Sequence, residues 1–64
     1  MKIEKRKSYD VYLENPDMSH VRCGIMPGRE VRMLINGANE VGDGIFDTKS
    51  GKRYVVWEEV CENV

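Results

Sequence analysis

The sequence predicts a small all-β domain, and three observations support that class. Apolar and polar residues alternate along several short stretches, as they do in half-buried strands. Glycine and proline interrupt these stretches where turns are expected, and no ten-residue segment shows a convincing helical period. The 64 residues therefore favour a five-stranded meander or barrel, with a short helical turn near the C-terminus.

Two strands are predicted in the first half of the chain, joined as a meander. The first spans residues 8–14 and ends at Asn15-Pro16-Asp17, where proline and its flanking Asx residues favour a turn. Its core-facing residues are Tyr9, Val11 and Leu13. The core-facing residues predicted for the second strand are Val21, Cys23 and Ile25, before a turn at Pro27-Gly28.

A third strand is predicted over residues 31–35, because apolar residues again occupy alternate positions. The residues assigned to the core are Val31, Met33 and Ile35, and those assigned to the outer face are Arg32 and Leu34. Asn36-Gly37 ends this strand. The polar, glycine-spaced residues 37–44 are interpreted as a wide loop.

The last hairpin joins Ile45-Phe46 to residues 53–57 across a five-residue connection. That length fits a turn in which Gly51 adopts a left-handed conformation next to a bulge. Tyr54-Val55-Val56-Trp57 places apolar side chains on both faces of the strand, which predicts a central strand covered on both faces. Trp57 is therefore expected in the core.

The arrangement of these motifs resembles the SH3-like small-barrel superfold over roughly residues 28–60. The motifs are Gly28-x-x-Val31-Arg32, Gly42-x-Gly44-Ile45, the hairpin into Tyr54-Val55-Val56 and a helical turn at Trp57-Glu58-Glu59. The resemblance implies a small barrel but no particular activity, because one such fold supports many functions.

Length and composition favour one soluble domain, with residues 1–7 as a basic N-terminal arm and residues 8–64 as the folded core. Charged residues make up 33% of the chain, and no apolar run is long enough to span a membrane. No signal-peptide pattern follows Met1. We therefore expect a cytoplasmic protein in which Cys23 and Cys61 are reduced and unpaired.

Catalysis, metal binding and cofactor binding are not expected. His20 and Cys23 supply only two of the four ligands that a structural zinc site needs, and Cys61 is the one further soft ligand. A nucleophilic pair is disfavoured because the alternation places His20 and Cys23 on opposite faces of their strand. Gly42-Asp43-Gly44 lacks the lysine and following helix of a phosphate loop.

The leading functional hypothesis is a non-enzymatic regulator that binds a protein partner or a second copy of itself. Sharing apolar area between chains would add stability that so small a core lacks. The size is typical of bacterial or phage-encoded regulators. The residues assigned to this binding surface are Tyr12, Arg22, Arg32, Leu34, Asn39 and Asp43.

The alternative hypothesis is a nucleic-acid-binding small barrel. The net charge of −1 argues against a general nucleic-acid binder, but the charges are unevenly distributed. Residues 1–32 contain seven basic and five acidic residues, and residues 33–64 contain three and six. The residues assigned to this alternative site are Lys2, Lys5, Arg6, Lys7 and Arg53.

Overall fold

The computed structural model describes residues 1–58, which form a five-stranded antiparallel sheet and one short helix. The elements are β1 (Ser8–Glu14), β2 (His20–Pro27), α1 (Gly28–Leu34), β3 (Asn39–Gly42), β4 (Ile45–Asp47) and β5 (Arg53–Glu58). The strand order is β2-β1-β5-β4-β3, so β2 and β3 are the edges. The all-β class is confirmed, but the sheet remains open and does not close into an SH3-like barrel.

The core lies on one face of this sheet. Its residues are Ile3, Tyr9, Val11, Val31, Phe46, Tyr54 and Val56. Tyr9 and Val11 alternate along β1, and Tyr54 and Val56 alternate along the neighbouring β5, as the period of two requires. Val31 of α1 belongs to the same core cluster and is fully buried.

Residues 1–7 pack over the core face and belong to the folded unit. Ile3 is buried. The Tyr9 hydroxyl accepts a hydrogen bond from the Glu4 backbone N–H (2.8 Å) and donates to the Lys2 carbonyl oxygen (3.5 Å). These bonds satisfy a buried phenol and fix the segment over β1.

The predicted third strand is wrong, since Gly28–Leu34 forms α1. The apolar residues Val31, Leu34 and Ile35 also fit the i, i+3, i+4 spacing of a helix, and all three pack into the core cluster. Met33, which the strand interpretation assigned to the core, is 78% exposed. Glu30 lies in the first turn, a position that the helix dipole favours.

The core assignments in β2 are also wrong, and a bulge in this edge strand accounts for those of Cys23 and Ile25. Val11 pairs with Gly24, whereas Tyr12 pairs with Arg22, so Cys23 is the extra residue. Beyond the bulge the parity is reversed. Ile25 thus lies opposite Asp10 and is exposed, as is Cys23. Val21 keeps the core-side position opposite Leu13, but it is 53% exposed on this edge strand.

The second half of the chain contains two glycine-containing turns, and only one of them was predicted correctly from the sequence. Gly51 has φ +88° between β4 and β5, which confirms the predicted left-handed position. The region 37–44 is not one wide loop, because Asn39–Gly42 forms the edge strand β3 and a tight turn joins it to β4. Gly44 takes φ +76° in that turn.

β5 is a central strand, as predicted, but only one of its faces is covered. Trp57 is 62% exposed and does not belong to the core. Trp57 and Glu58 continue β5 rather than forming a helical turn. The remaining predictions for the C-terminus, including that for Cys61, lie outside the described residues. Over residues 1–58 no helix has the length and apolar character needed to cross a bilayer.

Candidate binding surfaces

The sheet face opposite α1 is uncovered by any element of residues 1–58 and is termed the open face. Alternation along the strands assigns its residues. They are Asp10, Tyr12 and Glu14 of β1, His20, Arg22 and Ile25 of β2, Asn39 of β3, Ile45 and Asp47 of β4, and Arg53, Val55 and Trp57 of β5. This surface combines aromatic and aliphatic side chains with charged pairs.

An apolar strip crosses the middle of the open face. The strand register places Tyr12 opposite Val55, and Val55 opposite Ile45, so three strands contribute adjacent side chains. Trp57 follows two residues along β5 on the same face. The strip therefore consists of Tyr12, Ile45, Val55 and Trp57.

A shallow depression of about 330 Å³ lies between the two aromatic residues of the strip. Its lining residues are Asp10, Tyr12, His20, Val55 and Trp57. The Tyr12 ring lies 6.3 Å from the His20 ring, centroid to centroid. The Tyr12 hydroxyl donates to Asp10 Oδ2 (3.0 Å), and this bond raises the pKa of Tyr12. The ring is thereby held across the sheet surface.

A ladder of alternating charges borders the strip on one side. Arg53 bonds Asp47 with two nitrogens, Nε to Oδ1 at 2.6 Å and Nη2 to Oδ2 at 2.8 Å. Arg53 Nη1 also lies 3.6 Å from Glu14 Oε2, and Glu14 Oε1 lies 3.0 Å from His20 Nε2. Arg53 lowers the pKa of Asp47, and the pKa of Arg53 is raised in turn.

The charges of the open face nearly balance. Asp10 bonds Arg22 Nε at 3.1 Å, in addition to the charge ladder. The open face contains three carboxylates and two guanidinium groups, so its formal charge is −1 when His20 is counted as neutral. Such a surface does not attract a phosphate backbone.

A second surface lies on the other side of the molecule, between residues 1–6 and the end of α1, and is termed the basic groove. Its volume is about 640 Å³. Its charged lining residues are Lys2, Glu4, Lys5, Arg6 and Arg32, and the others are Met1, Ile3, Ile35, Asn36, Gly37 and Phe46. Four cationic side chains thus share a groove with one carboxylate.

Lys7 is not among the lining residues of this groove, and its side chain binds two carboxylates. Its Nζ lies 2.9 Å from Glu4 Oε2 and 2.7 Å from Glu58 Oε1. Hydrogen bonds to Glu58 and Glu4 raise the pKa of Lys7, and the bond with Lys7 lowers the pKa of Glu4. The single carboxylate of the basic groove is therefore already compensated.

The structure separates the residues that the sequence assigned to one protein-binding surface. Tyr12 and Arg22 lie on the open face, whereas Arg32 and Leu34 lie on α1 at the opposite side of the sheet. Asn39 starts the edge strand β3 and pairs with Asp47, so it lies at the edge of the open face. Asp43 lies in the turn after this strand. Sequence parity identified two of the open-face residues but not their neighbours across the sheet.

The alternative nucleic-acid set is divided as well. Lys2, Lys5 and Arg6 line the basic groove, where α1 adds Arg32. Lys7 is engaged by Glu4 and Glu58, and Arg53 belongs to the open face. The proximity of Arg32 to the N-terminal cations depends on the packing of α1, which residue spacing alone does not reveal.

The side chains considered for catalysis or metal binding are dispersed. The His20 ring contacts Glu14, and the Cys23 thiol is free and exposed on the bulge of β2. In residues 1–58, no three His, Cys, Asp or Glu side chains are grouped closely enough to hold a metal ion. No protein-family model, curated protein or solved structure matches this chain.

Proposed function

We propose that this chain is a non-enzymatic binding module that uses its open face to bind a protein partner. The observation that carries the proposal is the exposure of Trp57, at 62%, on the strand at the centre of the sheet. Tryptophan is among the residue types most enriched at the energetic centres of protein interfaces. A regulatory role of this kind would require only binding and no reaction.

The surroundings of Trp57 support an interface rather than an isolated exposed ring. Tyr12, Val55 and Ile45 extend the apolar surface across three strands. Contiguous apolar surface of this kind characterises interaction sites on small soluble domains. A partner that presents an aliphatic or aromatic side chain would fill the depression beside Trp57.

The charged residues around the strip suit the rim of such an interface. Arg53, Asp47 and Arg22 already have partners within the chain, so binding need not strip water from unpaired charges. Paired rim charges contribute mainly to the orientation and choice of the partner. The slightly negative balance favours a protein over a nucleic acid at this face.

The test compares two substitutions of exposed apolar residues on opposite sides of the molecule. Trp57→Ser removes the centre of the strip, and Met33→Ser removes a side chain that is 78% exposed on α1. We expect tagged wild type and Met33→Ser to retain the same protein from native lysate, and Trp57→Ser to lose it. Truncation of such a residue typically costs about 2 kcal/mol of binding free energy or more.

Self-association is measured in parallel by sedimentation equilibrium. A wild-type dimer that Trp57→Ser dissociates and Met33→Ser preserves would identify the partner as a second copy of the chain. Two results contradict the proposal. One is a partner or dimer that Trp57→Ser keeps at full affinity, and the other is the absence of both partner and self-association.

A further inference from the structure

We propose that the basic groove binds single-stranded nucleic acid, with phosphates on its cationic rim and a base above its apolar floor. This site lies on the side of the sheet opposite the open face and is independent of the protein-binding function proposed above. The chain would then hold a protein partner on one face and a nucleic-acid strand on the other.

The cations of the basic groove are available to a ligand. Lys5, Arg6 and Arg32 are exposed, and none of them forms an ion pair with an acidic side chain of residues 1–58. In contrast, Lys7, Arg22 and Arg53 all contact carboxylates. Cations without internal partners gain most from phosphate contacts, because binding does not first break an ion pair.

The position of these cations is fixed by the fold. Residues 1–6 are tied to the core through Ile3 and through the hydrogen bonds of Tyr9. Arg32 is carried by α1, whose first residue donates its backbone N–H to the Lys7 carbonyl oxygen at 2.7 Å. The two cationic walls therefore keep their separation without a ligand, which reduces the ordering cost of binding.

The shape of the groove favours an extended strand over a small free anion. Its cationic residues belong to two walls, residues 2–6 and the end of α1, so successive phosphates of one strand can contact both walls. The volume of about 640 Å³ lies within the range of about 300–1,000 Å³ that is typical of ligand sites. One nucleotide unit can therefore enter while the chain continues along the rim.

The apolar floor favours a single strand over a duplex. Ile3, Ile35 and Phe46 line the bottom of the groove. An unpaired base can leave the stack and cover such a surface, whereas a base held inside a duplex cannot reach it. The phosphates of the same strand would remain beside Lys5, Arg6 and Arg32.

Fluorescence anisotropy of a labelled oligo(dT) of about 12 nucleotides tests this proposal with three single-charge variants. Arg6→Gln and Arg32→Gln alter the two walls, and Lys52→Gln removes an equal charge outside the groove. We expect either groove variant to weaken binding about fivefold or more at 50 mM salt, and to reduce the salt slope by about 0.7. Lys52→Gln should resemble wild type.

Two further measurements separate the possible results. Trp57→Ser should leave oligonucleotide affinity unchanged, so that failure of the protein-binding proposal and failure of this one are distinguishable. A duplex of the same length should bind more weakly than oligo(dT), and vesicles containing phosphatidylserine should compete poorly. The proposal is overturned by wild type that does not bind oligo(dT) at low salt, by equal losses in Lys52→Gln and the groove variants, or by tighter binding to duplex or vesicles.

Discussion

Gly28 lies directly against the backbone of Glu4: a Cβ at position 28 would be 1.7 Å from the Glu4 carbonyl oxygen. The Gly28 N–H also donates to the Lys7 carbonyl oxygen at 2.7 Å. The start of α1 and residues 4–7 are therefore in backbone contact, and this contact closes the core face over Val31. A side chain of any size is incompatible with it.

We predict that Gly28→Ala is strongly destabilising. The methyl group would have to displace backbone rather than the end of a flexible side chain, so residues 4–7 and α1 would separate. The expected loss of unfolding free energy is about 2–4 kcal/mol, a large part of the stability of a domain this small. Urea denaturation followed by circular dichroism measures it.

Gly42→Ala is the matched control for that experiment. The nearest atom to its added Cβ is Ile45 Cδ1 at 3.2 Å, the movable end of a side chain. The expected cost is below about 1 kcal/mol. Equal denaturation midpoints for the two variants would show that the contact between Gly28 and Glu4 does not restrict the fold.

Gly44→Ala is predicted to destabilise the protein more than Gly51→Ala. Both glycines have positive φ, +76° and +88°, so both substitutions carry a similar backbone strain of about 1 kcal/mol. A Cβ at Gly44 would also meet the Val56 carbonyl oxygen at 2.6 Å, whereas that at Gly51 meets nothing within 4 Å. Parallel urea titrations should differ by about 1–2 kcal/mol. Equal losses of unfolding free energy would show that the turn between β3 and β4 can move away from β5 without an energetic cost.

Local patterns were sufficient where one strand determines the outcome. Tyr9 and Val11 follow the expected alternation along β1, and Gly51 has the positive φ that the hairpin length implied. The same reasoning gave the wrong result for residues 31–35, because the apolar pattern of a seven-residue helix is too short to distinguish from that of a strand. The contact between Gly28 at the start of α1 and the backbone of Glu4 is not local either.

The candidate site depended even more on distant contacts. The parity of Trp57 within its strand is visible in the sequence, but its burial depends on which face of the sheet α1 covers. The sequence also does not reveal that β5 pairs with β1, which places Val55 beside Tyr12. The bulge at Cys23 is also not predictable from alternation, because a strict period of two assumes that every residue of β2 is paired.

Acid is expected to weaken the fold partly through the pair between Asp47 and Arg53. Arg53 lowers the pKa of Asp47 below its ordinary value of 3.8. The stabilisation is therefore fully present above that ordinary value and is lost as the pH falls below it, through the lower pKa of the folded state. Asp47→Asn should make the decline in urea midpoint between about pH 5 and pH 2.5 shallower than in wild type.

Glu30→Gln is the control for the acid titration. Glu30 is exposed on α1 and forms no ion pair with another side chain in the described part of the chain. Its variant should retain a decline nearly as steep as that of wild type. If Asp47→Asn and wild type lose stability in parallel, the two hydrogen bonds from Arg53 stabilise the charged carboxylate of Asp47 no more than water does in the unfolded chain.

The final prediction contrasts Phe46 with Trp57, the aromatic residue that the sequence placed in the core. Phe46 is buried at 6% exposure, so Phe46→Ala should cost about 3–5 kcal/mol and unfold much of the population. Trp57 is 62% exposed, so Trp57→Ser should change the unfolding free energy by less than about 1 kcal/mol.

Because the chain contains one tryptophan, its fluorescence reports directly on the open face. The emission of the free protein should be that of a water-exposed indole and should shift to shorter wavelength on binding a partner. A blue-shifted emission in the free monomer, together with a large loss of stability in Trp57→Ser, would instead mean that the ring is buried and that the open face has no aromatic centre.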